Sequence, residues 1–292
     1  MKHCPNCARE IVGEPWVCSS CTWRAPIREG ITLLSEVPEG RNENYDPVYF
    51  EQLAALEGNH FWFRSRNDLI ENFAKRYLRS RSNYLEIGCG TGFVLRHLRR
   101  SFSQWTISAS ELHYTGLLFA RHRVPEGVQF MQLNAQALPF RTEFDVIGAF
   151  DVIEHIQDDR GVLRQIHQAL MPGGHVLMTV PQHMWLWSRY DEIGCHFRRY
   201  SRAELRKKLR EAGFEIVHEA SFNSFLIPAM FLSRLISFRR QSSDVDVLEE
   251  LKLSRVANAV LGVILRMEVL LTTRLDIDWP AGGSRIVLAR KS

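Results

Sequence analysis

The sequence predicts an α/β protein: a mainly parallel sheet wrapped by helices, preceded by a small metal-stabilised module. Three observations predict it. Short β-rich runs alternate with helix-length segments through most of the chain. An apolar strand runs straight into a glycine-rich turn at Tyr84–Gly92. Four of the six cysteines fall within the first 21 residues. The 292 residues allow one domain of about 200 residues plus a small module. With 45% hydrophobic and 24% charged residues, a folded chain is expected rather than a disordered one. The net charge of +4 is spread along the chain, so it permits an anionic partner without requiring one.

Cys4-Pro-Asn-Cys7 and Cys18-Ser-Ser-Cys21 form two CxxC knuckles within residues 1–28. Each knuckle can turn two thiolates onto one ion, and two complete a tetrahedral zinc site with no open position, hence a structural one. A module of roughly 25 residues cannot build an adequate core alone, so the metal is expected to supply its stability. A redox dithiol or a surface disulfide is the competing reading. The N-terminus MKHCPNCARE lacks the apolar core of a secretory signal. No apolar run reaches the roughly 18 to 20 residues of a membrane span. A cytoplasmic, reducing compartment is therefore expected, which agrees with a metal site.

Residues 29–44 read as a linker with one short strand, ITLLS, among Gly30, Pro38 and Gly40. Residues 45–292 read as the α/β domain. Its strands are expected at Tyr84–Gly88, Trp105–Ser110, Val128–Leu133, Phe144–Phe150, His175–Val180, Glu215–Glu219 and Arg285–Ala289. Helices are expected at Gly92–Arg100, Gly161–Leu170 and Arg202–Ala212. About 60 residues separate the last two strands, too many for a usual connection, so a helical insertion is expected at about 223–283. Its apolar stretches, Phe222–Phe238 and Val256–Leu271, can pack on each other as a hairpin over the site. A membrane surface or a dimer contact is the alternative.

In Leu85-Glu86-Ile87-Gly88-Cys89-Gly90-Thr91-Gly92 the spacing is GxGxG, and Glu86 precedes the first glycine by two positions. Glycines let a ligand lie against bare backbone. A carboxylate there suits the sulfonium and ammonium of S-adenosylmethionine and would repel a pyrophosphate. The next strand ends at Glu111, which can accept from both ribose hydroxyls, with Leu112 beside it. In open α/β sheets the carboxyl ends of strands form the crevice, which places Asp151, Glu154 and His155 near the reacting groups. His155 is a candidate general base, because imidazole titrates near neutral pH. The competing reading is that Glu154 and His155 only hold their loop together.

Taken together, LEIGCGTG, SEL, FDVIGAFDVIEHI, LMPGGHVLMTVP and LREAGFEIV resemble the class I S-adenosylmethionine-dependent methyltransferases. The resemblance covers about residues 45–222 and the closing strand 284–291. It implies a Rossmann-like seven-stranded sheet with an antiparallel last strand and a bound S-adenosyl-L-methionine. It also implies adenine contacts at Asn134 and Ala135, where the family often has an acidic residue instead of Asn134. D-x-x-E-H at Asp151–His155 is similar to the E-x-x-E-H with which some O-methyltransferases bind a divalent ion. That resemblance makes Asp151, Glu154 and His155 candidate ligands, with His183 or His196 adding a nitrogen. The CxxC segment is similar to ribbons that precede or assist several methyltransferases.

Around the site, Phe61, Trp62 and Phe63 begin a helix. At least one of them is expected in the cleft, with core packing favoured for the other two. His183–Tyr200, with Arg198 and Arg199, is a suitable lining for an acceptor pocket. The leading expectation is methylation, at O or N, of a small or lipid-associated acceptor. A methyltransferase of RNA bases using the ribbon to hold its substrate is the runner-up, though no concentrated basic patch supports nucleic acid. A catalytically silent scaffold of the same fold is the third reading.

Overall fold

The computed structural model describes residues 1–13, 16–35, 48–237 and 253–292. Pro38, Gly40 and the expected domain start at Tyr45 lie outside the described residues. The N-terminal module is a hairpin of β1 (Lys2–His3) and β2 (Glu10–Ile11). One sheet of nine strands follows: β3 (Ile27–Arg28), β4 (Ile31–Leu33), β5 (Asn83–Ile87), β6 (Thr106–Glu111), β7 (Val128–Gln132), β8 (Phe144–Phe150), β9 (Leu170–Pro181), β10 (Phe214–Phe222) and β11 (Ser284–Lys291). Their order across the sheet is β10-β11-β9-β8-β5-β6-β7-β4-β3. β11 runs antiparallel to both of its neighbours, as the resemblance implied.

Successive residues feed opposite faces of the sheet, as the pleat requires. Leu85 and Ile87 of β5, with Val287 and Ala289 of β11, pack on one face. There they meet α5 (Asp159–Ala169) and α7 (Arg202–Glu211) through Val162, Ile166 and Leu205. Tyr84, Ile286 and Leu288 pack on the other face. That layer consists of α2 (Phe61–Tyr77), α3 (Phe93–Ser101), α4 (Tyr114–Arg123) and α9 (Arg255–Arg274), through Phe73, Leu95, Leu117 and Leu265. Two further helices, α1 (Val48–Glu57) and the short α6 (Arg189–Ile193), lie at the site.

Two expectations change. Among the described residues the sheet has nine strands rather than seven, because the strand expected in the 29–44 linker, β4, joins it together with β3, with which it pairs antiparallel. β4 pairs in parallel with β7, and its fully buried Ile31 enters the core. Covering β7 removes an exposed sheet edge. The module is welded on as well: His3 N–H donates to Pro139 O at 2.8 Å, and Trp16 packs edge-on against Phe140.

The second change concerns the insertion. α9 lies mainly along α2, whereas α8 (Ile227–Ser237) packs against the turn at Met184–Leu186, so the two do not form the expected hairpin. They are tied indirectly. Glu268, buried on the inner side of α9, accepts the N–H groups of Ser224 and Phe225 just ahead of α8. At 20 residues and mean hydropathy 1.6, α9 is long and apolar enough to cross a membrane by length and composition, contrary to the reading of the sequence.

Candidate active site

A cavity of about 1050 Å³ opens at the carboxyl ends of β5, β6 and β8. Its floor is the turn after β5, where Gly88, Gly90 and Gly92 all have positive φ. A Cβ on Gly88 would sit 2.6 Å from the Val152 side chain, so glycine there lets the chain after β8 close in. A Cβ on Gly90 would meet nothing within 4 Å, so this position lies open to a ligand. Gly92 does not line the cavity. A Cβ there would lie 2.9 Å from the Ala120 backbone, so its role is close packing of α3 on α4.

Glu111 closes the turn from the β6 side. One carboxylate oxygen accepts from Gly90 N at 3.0 Å, the other from Leu112 N at 2.8 Å. His113 N–H donates to that second oxygen as well, at 3.2 Å, so of about four acceptor positions on the carboxylate one is left for a ligand hydroxyl. Glu86 is buried, and among the described residues its carboxyl is bonded by the Tyr84 hydroxyl alone, at 3.0 Å; desolvation pushes it up to about 8. It is therefore neutral at pH 7 until a cation arrives. Asn134 uses its Oδ1 to accept Gln136 N–H, while its own N–H donates to Ser35 Oγ at 2.9 Å. Its amide donors remain to meet an adenine edge. Ala135 and Leu112 complete this wall.

At the end of β8, Asp151 adopts φ 56° and pairs with Arg66 of α2. Arg66 stacks on Trp62 at 4.9 Å. With its carboxylate taken by Arg66, Asp151 does not join the expected metal triad. Glu154, His155 and His196 come together instead, with ligand atoms all within 4.8 Å of one another. Glu154 is fully buried, neither of its oxygens has a hydrogen-bond partner, and desolvation holds its carboxyl well above the usual range. Burial lowers His155 to about 4, aided by the neighbouring His196, so its imidazole is neutral. His196 Nδ1 lies 2.8 Å from Asp191, which also accepts from Arg199 and Ser188. These bonds outweigh burial and hold Asp191 near 2. His183 stands apart from the cavity, stacked on Trp185.

Phe61, Trp62 and Phe63 all line the cavity, not just one of them, because the first turn of α2 forms the rim. Arg198 pairs with Asp159, and Arg199 with Asp191, so both serve the scaffold. The stretch His183–Tyr200 does line the cavity through Ser188, Tyr190, His196 and Phe197, but sequence reasoning did not single out Tyr190 or Asp191 within it, nor Arg66. Only Arg66 had a local signal, four residues after Trp62 on one helix face.

In the N-terminal module Cys4 and Cys21, and likewise Cys7 and Cys18, have sulfurs 3.6 Å apart. Thiolates at 2.3 Å from a tetrahedral zinc lie about 3.8 Å from one another, whereas a disulfide needs about 2.05 Å. The N–H of Trp23 onto Cys21 lowers that thiol to about 6, and the N–H of Cys21 lowers Cys18, while burial and the neighbouring sulfurs raise Cys4 and Cys7, as expected of four thiols crowded together. The cluster fits zinc.

The chain matches the family model of a methyltransferase domain over residues 57–219. It is 28% identical over 162 residues to a probable S-adenosylmethionine-dependent methyltransferase of Mycobacterium tuberculosis, a match covering 54% of this chain and 57% of that protein. It is 29% identical over 102 residues to a ubiquinone biosynthesis O-methyltransferase of Yersinia pestis, covering 32% of this chain and 40% of that one. The chain thus spans about half the length of the curated relatives it matches. Among solved structures it is similar to the Haemonchus contortus phosphoethanolamine N-methyltransferase 2 in complex with S-adenosyl-L-methionine. That similarity has TM-score 0.55 at 19% identity, over 86% of this chain and 58% of that one.

Proposed function

We propose that this chain, which belongs to the methyltransferase-domain family, transfers a methyl group from S-adenosyl-L-methionine to a small, largely apolar acceptor. The observation that carries this reading is the pair of carboxyl groups, Glu86 and Glu111, on either side of the bare Gly88–Gly90 turn. Glu111 would accept from the ribose, Glu86 would face the cationic amino acid end, and Asn134 with Ala135 would hold the adenine. At 1050 Å³ the cavity reaches the top of the range of about 300–1,000 Å³ for one small ligand, which leaves space for an acceptor beside the cofactor.

Methyl transfer is a displacement at carbon, and fixing the two reactants in line can supply roughly 7–11 kcal/mol. This chain's contribution is that alignment and the exclusion of water by Trp62, Tyr190 and Phe197. Where the acceptor must lose a proton, neutral His155 takes it. A second reading of the same group is favoured by the two orphan oxygens of Glu154: Glu154, His155 and His196 hold a divalent ion, with Asp191 orienting His196. The ribbon cysteines Cys4, Cys7, Cys18 and Cys21 hold a structural zinc, which suits a reducing, cytoplasmic compartment. An RNA acceptor is disfavoured, because the ribbon carries only Lys2, Arg9, Arg24 and Arg28 as basic residues, and Lys2 and Arg28 lie over Trp16 and Tyr114.

Calorimetric titration with S-adenosyl-L-methionine tests the proposal. The wild type should bind, and Glu111→Ala should weaken binding at least about tenfold, since it removes a charged hydrogen bond of about 1.5–3 kcal/mol. Failure of the folded, zinc-loaded wild type to bind would instead support a silent scaffold.

A further inference from the structure

The outer face of α9 is apolar where a helix of a domain this size normally turns polar. Val256, Val260, Val263, Met267 and Leu270 are each more than half exposed. Their spacing of four, three, four and three residues sets them in one stripe along the helix. The stripe starts at the mouth of the cavity: Leu253, just ahead of α9, both lines the cavity and is exposed. Phe197 likewise lines the cavity and is exposed. Nearby, Trp185 and Phe231 are exposed and touch edge to face.

The charges on this helix are one-sided. Arg255, Arg266 and Arg274 are exposed, with Arg266 next to Asp68 of α2. The helix's one acidic residue, Glu268, is turned inward and bound to backbone N–H groups. A second copy of the same stripe would bring arginines against arginines, with no outward acid on either helix to meet them. An anionic lipid surface meets both features, with headgroups for the arginines and acyl chains for the stripe.

We propose that the outer face of α9 and the apolar rim at Phe197 and Leu253 dock this protein flat onto an anionic bilayer, so that the cavity draws its acceptor from the membrane. The helix lies in the interface rather than across it. Spanning would strip α9 from α2 and leave the Glu268 carboxylate without its partners. The inference rests on the reading that the cavity takes an apolar acceptor, but its test needs neither acceptor nor turnover.

The test is co-sedimentation of the full chain with phosphatidylcholine vesicles with and without phosphatidylglycerol. Binding should require the anionic lipid and fall with salt. The double variant Val263→Asp, Met267→Asp should lose at least about tenfold in partitioning, since it removes buried apolar area and adds like charge. Arg255→Gln with Arg274→Gln should lose on the order of twentyfold, each arginine near such a surface being worth about fivefold. None of these residues touches the cofactor turn, so S-adenosyl-L-methionine binding by calorimetry should be unchanged, which separates failure here from failure of the methyl-transfer reading. Folded wild type that stays in the supernatant would overturn the proposal. So would a dimer by light scattering that the aspartate variant splits, because the stripe would then belong to a second copy.

Discussion

Glu154 is the residue whose surroundings are hardest to explain without a ligand. A carboxyl with no exposed surface and no hydrogen bond loses its water and gains nothing in return, at a cost of about 1–3 kcal/mol even when neutral. Two imidazoles next to it, one oriented by Asp191, supply what such a group lacks if an ion is shared among the three. Manganese suits a carboxylate and imidazoles, and competes poorly with zinc for the ribbon thiolates. At about a hundredfold above its dissociation constant an ion adds about 2.7 kcal/mol, or roughly 5 °C in Tm for a chain of this size. Differential scanning fluorimetry should show that rise in the wild type and not in Glu154→Gln. Equal shifts in both proteins would return Glu154 and His155 to holding their loop. The D-x-x-E-H spacing brought attention to this place, but His196 is 41 residues from His155 and Asp151 is claimed by Arg66. Membership of the cluster therefore depends on tertiary contacts that no local pattern encodes.

At the scale of elements, the ribbon is coupled to the cofactor wall through one strand. β4 pairs with β7, Leu34 N–H donates to Gln132 O at 3.0 Å, and Ser35 Oγ receives the Asn134 N–H. Removing zinc should release β4, and with it the hydrogen bond that fixes Asn134. Chelation, and separately Ser35→Ala, should each weaken S-adenosyl-L-methionine binding by about two- to tenfold, the worth of one hydrogen bond of about 0.5–1.5 kcal/mol. Calorimetry before and after chelation checks it. An affinity indifferent to both changes would make the ribbon a separate appendage. What the sequence revealed at this scale was local. The turn at Gly88–Gly92 was legible because three glycines and a preceding strand are contiguous. The seven expected strands appear with their ends moved by a few residues at most, except β9, which begins at Leu170 rather than His175, and β10, which runs on to Phe222. Residues Ile31–Leu33 were legible as a strand but not as a member of the sheet, since its partner β7 lies about 100 residues away. The apolar pattern of α8 and α9 likewise announced helices without saying what each would pack on.

The whole molecule carries two opposed sets of buried ionisable groups. His60, His155 and His175 are each lowered by burial to about 4. The unfolded chain takes up those protons first, near pH 6.5, so their contribution is complete above that pH and is lost as pH falls towards 4. Glu86, raised to about 8, and Glu154, raised in the same direction, act the other way. The folded chain keeps protons that the unfolded chain releases near 4.5, so this contribution is complete below that pH and is lost as pH rises towards 8. Each group adds a slope of up to about 1.4 kcal/mol per pH unit. The imidazoles lose their contribution as pH falls towards 4 and Glu86 loses its own as pH rises towards 8, which sets maximum stability between those limits. Thermal melts of ligand-free protein should peak there. Glu86→Gln should move the peak upward, because one raised carboxyl fewer then opposes the imidazoles. A bound S-adenosyl-L-methionine should do the same, since its ammonium would draw the proton off Glu86. A melting temperature that climbs steadily to pH 8 would mean that Glu86 is already ionised in the empty cavity, and that the site is charged before its cofactor arrives.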